Sequence, residues 1–375
     1  MSATESKRGS RAAVLGVVAV VMLIGAIVGV VSLHLGRRAP RAGGHRVAVI
    51  GVAGAPWADD AIARALEGTP GVSVVTAAEV RSRIRVLRMK NKQATALDAA
   101  GALALYAIVD GASPNHIEAR DADGTVLAQA EAADLEHAAA SLSRALAKGA
   151  GEAPERALPT SSMAAYAHYA VAENALESDR TGDAERELDA ALKIDPAFSS
   201  AWLAKAMLIV DRGSGDSDMD LADEALSHVV DSALSDKERL FAAGYRDWVA
   251  ARTDANVDKR PPHVEDAIDV LRKATVEFPE DMRSHYALGR VYNRLVGAHE
   301  EAVRHLENAR RLAPDRLSVA KEYADAWLGA GQRSDAESII KAYIRLVPED
   351  ERGRNALRDL GVIQAGTGSQ TAVVR

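Results

Sequence analysis

The chain has no cysteine, which excludes a disulfide framework, a Cys-ligated zinc site and a thiol nucleophile. Aromatics are scarce, at 4% with three Phe, so any core must come from small and aliphatic side chains. That composition suits closely packed helices better than an all-β fold. A nucleophile elbow, a phosphate loop, a dinucleotide fingerprint and an HExxH pair are all missing. The sequence therefore offers no residues for catalysis and none for a cofactor. His299 and His305 are six apart, off the i, i+4 spacing of two metal ligands on one helical face. Asp216, Asp218 and Asp220 imitate a calcium loop, but Leu221 stands where that loop needs Gly and Ser227 where it needs Glu. They read as a solvated turn capping the next helix.

The 375 residues allow two to three domains. The net charge of −7 is unevenly spread: residues 1–48 carry +6 and the remainder −13. A basic collar around an apolar segment, ahead of an acidic body, indicates a membrane anchor and not a nucleic-acid binder. Within residues 1–11 lie Lys7, Arg8 and Arg11. Residues 12–35, AAVLGVVAVVMLIGAIVGVVSLHL, contain no acidic residue, Lys or Arg. As a helix they would span about 36 Å, enough for a hydrocarbon core of roughly 30 Å. A signal peptide competes as a reading, but the run exceeds the usual apolar region of about 7–15 residues and ends in GRRAPRAGG. An uncleaved inner-membrane anchor is expected, with the N-terminus cytoplasmic and the body periplasmic. Gly25 and Gly29 form a GxxxG pair that could bring two such helices together as a homodimer.

After a Pro/Gly/Arg linker at 36–45, residues 46–148 alternate strand and helix patterns. Strands are expected over 46–52, 72–75 and 106–111, with a hairpin pairing 116–120 and 125–129 about Asp123-Gly124. Helices are expected over 56–66, 77–92, 95–103 and 135–147. The order VAVIGV, GVSVV and ALDAAGALALYAIVDGAS, then a hairpin and a helix, resembles the TolB-like N-terminal domain. Gly51-Val52 stand where that family usually has an apolar-aromatic dipeptide. The resemblance implies a small α/β interaction module without catalytic chemistry.

A second linker, 149–162, leads into a helical region. In residues 315–348, Tyr323-Ala324, Trp327, Gly331, Ala336, Ile340, Tyr343 and Pro348 recur at the spacing of a two-helix unit, and Pro314 lies 34 residues before Pro348. Ala324 and Ala336 are small where helices cross, Gly331 permits a left-handed C-cap, and Pro348 stops the second helix. These residues resemble the tetratricopeptide repeat family. About five repeats are expected over 163–348, two of them interrupted, by a polar loop at 212–220 and an insertion at 254–263. A capping helix over 349–362 and a frayed tail at 363–375 would follow. The fold class is thus mainly α: a transmembrane helix, a small α/β domain and an α-solenoid.

In that family the first helix of each repeat lines a concave groove that holds peptides. The resemblance places Tyr166, Tyr169, Leu203, Met207, Arg283, Arg290, Asn293, Ser318, Lys321 and Asp325 there. Arg283, Arg290, Asn293 and Lys321 could hold an acidic side chain or a terminal carboxylate, with Asp325 opposing them. Arg81, Arg83, Arg85, Arg88, Lys90 and Lys92 make the densest basic run, able to face anionic lipid near the membrane. The function implied is a non-enzymatic membrane-anchored adaptor. The alternative is a signalling sensor whose α/β domain binds a ligand and whose repeats relay it. With alkaline phosphatase and a fluorescent protein each fused after Arg375, the expected result is an active phosphatase and a dark fluorophore. The reverse would place the repeats in the cytoplasm.

Overall fold

Alternation sets the sheet. In β1 (His45–Val49) Val47 and Val49 are buried in one core while Ala48 is buried in another, the period-2 pattern of a strand covered on both faces. The computed structural model describes residues 45–49, 56–66, 72–103, 107–113, 116–121, 124–132, parts of 137–145, 158–213, 215–254, 256 and 260–369, with backbone alone over 361–369. β1 lies between β2 (Val72–Val75) and β3 (Ala107–Ser113), parallel to both. β4 (His116–Arg120) and β5 (Val126–Glu131) complete the order β2-β1-β3-β4-β5 as an antiparallel hairpin. Helix α1 (Pro56–Leu66) joins the Val47 face. Helices α2 (Ala77–Arg88) and α3 (Ala96–Leu103) cover Ala48 and Val75. α2 opens with a reciprocal capping box between Thr76 and Glu79. It stops at Arg88, four residues short of the expected end.

The helical region begins with α4 (Met163–Glu177) and α5 (Thr181–Ile194), then α6 (Ser199–Arg212) and α7 (Asp216–Ser227). The polar stretch expected as a loop over 212–220 is a short connection instead. Asp216 and Asp218 lie in the first turn of α7, and the Asp218 carboxylate accepts from the Gly215 N–H. α8 (Asp236–Thr253) and α9 (Arg260–Glu277) form the third pair, and α9 takes up the last four residues of the expected insertion, 260–263. The fourth pairs α10 (Met282–Arg290), continued as a π-helical turn over Val291–Val296, with α11 (His299–Leu312). The fifth pairs α12 (Leu317–Gly329) with α13 (Arg333–Leu346). α14 (Glu351–Ser369) caps the array and runs through part of the tail read as frayed. Among the described residues no helix is long and apolar enough to cross a membrane. The expected span, with Gly25 and Gly29, lies outside the described residues, as do 36–44 and 149–157 of the linkers.

The turns repeat a left-handed residue two positions before the second helix. Gly297 and Gly331 occupy it in the last two repeats, and Asp179, with φ 53°, occupies it in the first. A non-glycine residue there is unfavourable, and Asp179 is held by its contacts. Its carboxylate accepts from the Ser318 hydroxyl at 2.6 Å and backbone N–H at 3.2 Å, and its carbonyl accepts from Arg352. The first repeat is thereby tied to the fifth.

Within a repeat the helices approach closely at glycine. A Cβ on Gly289 would stand 2.6 Å from Leu306 Cγ, and one on Gly244 would stand 2.8 Å from Leu271 Cγ. Gly289→Ala should destabilise the array by about 1–3 kcal/mol, as overpacking does. Urea denaturation checks this, and a change within about 0.5 kcal/mol would mean that the helices part without strain.

Candidate partner-binding groove

Helix α4 meets α1, α2 and α10. Tyr166 and Tyr169, expected to line an open groove, are buried at 0% and 3% exposure because α1 lies over them. The Tyr166 hydroxyl donates to Asp60 at 2.6 Å, and Arg64 donates to the Tyr169 hydroxyl at 2.8 Å. Arg64 also pairs with Asp60 at 3.0 Å and with Glu238 of α8 at 3.3 Å. Burial alone would raise the Glu238 carboxyl, but Arg64 and the Ser235 cap outweigh it and pull its pKa down to about 2. The α/β module and the first repeat thus share one core, in which Ile62, Leu66 and Ile117 join Phe198 and Leu188.

Of the residues expected to form a basic clamp, Arg290 and Asn293 meet at a carboxylate of the chain itself, Glu322. Arg290 is 1% exposed. It pairs with Asp211 and lies 3.4 Å from Glu322, with its guanidinium 5.0 Å from the Trp248 ring centroid. The wider π-turn carries Asn293 and Arg294 to the same carboxylate, donating at 2.8 Å and 2.6 Å. Glu322 is itself buried, which raises its pKa, yet the hydrogen bond from Arg294 and the charge of Arg290 hold it below the ordinary value. Arg290 therefore faces the interior and cannot meet a ligand. Arg283 pairs with Glu173 of α4 at 2.6 Å, closing one side of the superhelix against another. Leu203 is buried in the core of the second and third repeats, and Met207 packs against it. Ser318 is taken up by Asp179. Lys321 and Asp325, one turn apart on α12, are exposed.

The basic helix α2 lies against inter-repeat turns. Asp281, Asp315 and Glu349 come from three successive turns, 34 residues apart. Ser82 donates to Asp315 at 2.6 Å, and Arg85 reaches Asp315 at 3.6 Å and Glu349 at 3.2 Å. Arg81 donates to Asn174 at 2.8 Å and lies 3.5 Å from Glu177. Arg81 and Arg85 are thus engaged by the repeats, and Arg88 donates to the Ala94 carbonyl. Lys90 and Lys92 are exposed, and Arg83 is partly buried. Between α2 and the repeats lies a cavity of 290 Å³, walled by Glu79, Arg81, Glu177, Asp281, Arg283, Arg316 and their neighbours.

The sequence reading missed Asp60, Glu173, Asp211 and Glu322. Glu322 had a visible signal: it fills the i+3 place of the buried stripe Val319, Tyr323, Ala326. Its partners are 28–29 residues away, beyond any helical period.

Residues 294–360 match the tetratricopeptide repeat family. No curated protein matches the chain significantly. Among solved structures, it is similar to a thermophilic tetratricopeptide repeat protein of Thermus thermophilus, at 18% identity and a TM-score of 0.42, over 53% of this chain and 100% of that one. It is also similar to MamA, at 20% and 0.28, over 50% and 94%. YrrB, described as a tetratricopeptide repeat protein with an unusual peptide-binding site, is 13% identical at a TM-score of 0.29, over 52% and 92%.

Burial, and then the charges of Asp281 and Glu177, push the Glu79 carboxyl up to about 7 against the opposing hydrogen bond from Thr76. The folded chain therefore binds this proton more tightly than the unfolded chain, whose value is about 4.5. The stability it contributes is complete below 4.5 and is lost as pH rises through 7. Glu79→Gln keeps the capping acceptor and should stabilise the protein at pH 8 by about 2–3 kcal/mol relative to pH 4.5. Urea midpoints across that range test it, and an unchanged difference between wild type and variant would show a solvated carboxylate.

Proposed function

We propose that the protein is a membrane-anchored scaffold that docks a protein or peptide partner on its repeats and catalyses no reaction. The observation that carries this reading is the array of five helix pairs with an α/β module packed against it through α1 and α2. The module, read as TolB-like, and the inner-membrane span over 12–35 would hold the repeats near the bilayer, raising the effective concentration of whatever they bind. The body would lie in the periplasm, and Gly25 and Gly29 would pair two spans. Because the inner groove is filled by the chain's own charges, the partner would meet the exposed face of α12, around Lys321 and Asp325.

The cavity beside α2 favours a second reading, in which a small ligand at the seam is sensed and the repeats report it. A photo-crosslinking residue at Lys321 of the full chain should yield a discrete protein adduct in cells, and one at exposed Lys273 of α9 should not. Equal labelling at both positions would remove the groove reading. No adduct, with small-molecule stabilisation lost in an Ala78→Trp variant that fills the cavity, would favour the sensor.

A further inference from the structure

The third repeat is built from helices longer than its neighbours', 18 residues each in α8 and α9 against 14 each in α11 and α13. Near the connected ends of this hairpin Asp247, Asp254, His263 and Asp266 come together. His263 and Asp266 are three apart and so share a face of α9, while Asp247 comes from α8. One ring nitrogen of His263 and one carboxylate oxygen from each of Asp247 and Asp266 all lie within 4.8 Å of one another.

The histidine is oriented as a ligand would be. Its Nδ1 lies 3.5 Å from Asp247 Oδ1, is closed to solvent and makes no hydrogen bond. Its Nε2 lies 3.5 Å from Asp254 Oδ2. With the proton on Nε2, facing Asp254, the Nδ1 lone pair is directed towards Asp247. A carboxylate behind the ring is the arrangement that fixes the tautomer of a metal-bound imidazole. One nitrogen and two carboxylates suit a first-row divalent ion, with water completing the shell.

We propose that Asp247, His263 and Asp266 bind one divalent transition-metal ion, with Asp254 as a positioning residue, and that the ion pins the two long helices of the third repeat together. Bonds of about 2.0–2.2 Å require donors roughly 3.4 Å apart, so the side chains draw inwards on binding.

Zn²⁺ titration calorimetry on the chelator-treated full chain tests this. Wild type should bind one equivalent that His263→Gln and Asp266→Asn lose or bind about 100-fold more weakly, and Asp254→Asn should weaken it about tenfold. Zn²⁺ should also raise the melting temperature of wild type and not of His263→Gln. Asp266 is exposed, so Asp266→Asn leaves the fold intact, as unchanged metal-free circular dichroism would verify. Equal stoichiometry and affinity in wild type and either ligand variant would overturn the proposal.

Discussion

The joint between the α/β module and the repeats depends on how α4 is packed. Most helices of a solenoid bury one stripe and expose the other face. α4 instead meets α1 through Tyr166 and Tyr169, α2 through Asn174 and Glu177, and α10 through Glu173. The carbonyl of Leu176 accepts from Arg316, at the start of α12. Its sequence, MAAYAHYAVAENALE, permits this because alanines keep its outline narrow on several sides at once. Its polar residues are placed where a neighbour supplies the opposite charge.

The consequence is electrostatic. Two of the cations read as exposed in the groove, Arg283 and Arg290, are paired with the chain's own carboxylates, because a buried guanidinium without a partner would be far too costly. Arg290 illustrates the logic: once 1% exposed, it needs carboxylates from both sides, and Asp211 and Glu322 provide them. Arginine suits the position better than lysine because its planar head can face several acceptors and lie against the Trp248 and Tyr286 rings together. What stays available to a partner is decided by which charges the fold has already used.

Local features were legible in the sequence. The first strand came from a β-branched run, the hairpin from Asp123-Gly124, and the last repeats from small residues and prolines at fixed spacing. The 212–220 stretch was misread because its aspartates suggested a loop, although acidic residues also favour a helix's first turn. The groove was half legible. The resemblance named Arg290 and Asn293, but the acids opposite them come from other repeats and have no periodic relation to them. Asp179 was illegible for another reason: its left-handed backbone is offset by long-range contacts to Ser318 and Arg352 that no local pattern encodes.

The seam between module and repeats has two parts of different strength. Around α1 the contact is a continuous apolar core with a buried Arg64 network, and separating it would expose that whole surface to water. Around α2 the contact combines hydrogen bonds from Ser82 and Arg81 with ion pairs whose arginines remain 42–47% exposed, and each such pair contributes only about 0–1 kcal/mol. Salt or a competing charged partner would therefore loosen the α2 edge long before the α1 edge. The cavity lies along this weaker edge. The acidic inter-repeat turns therefore lie beneath the weaker edge of the seam.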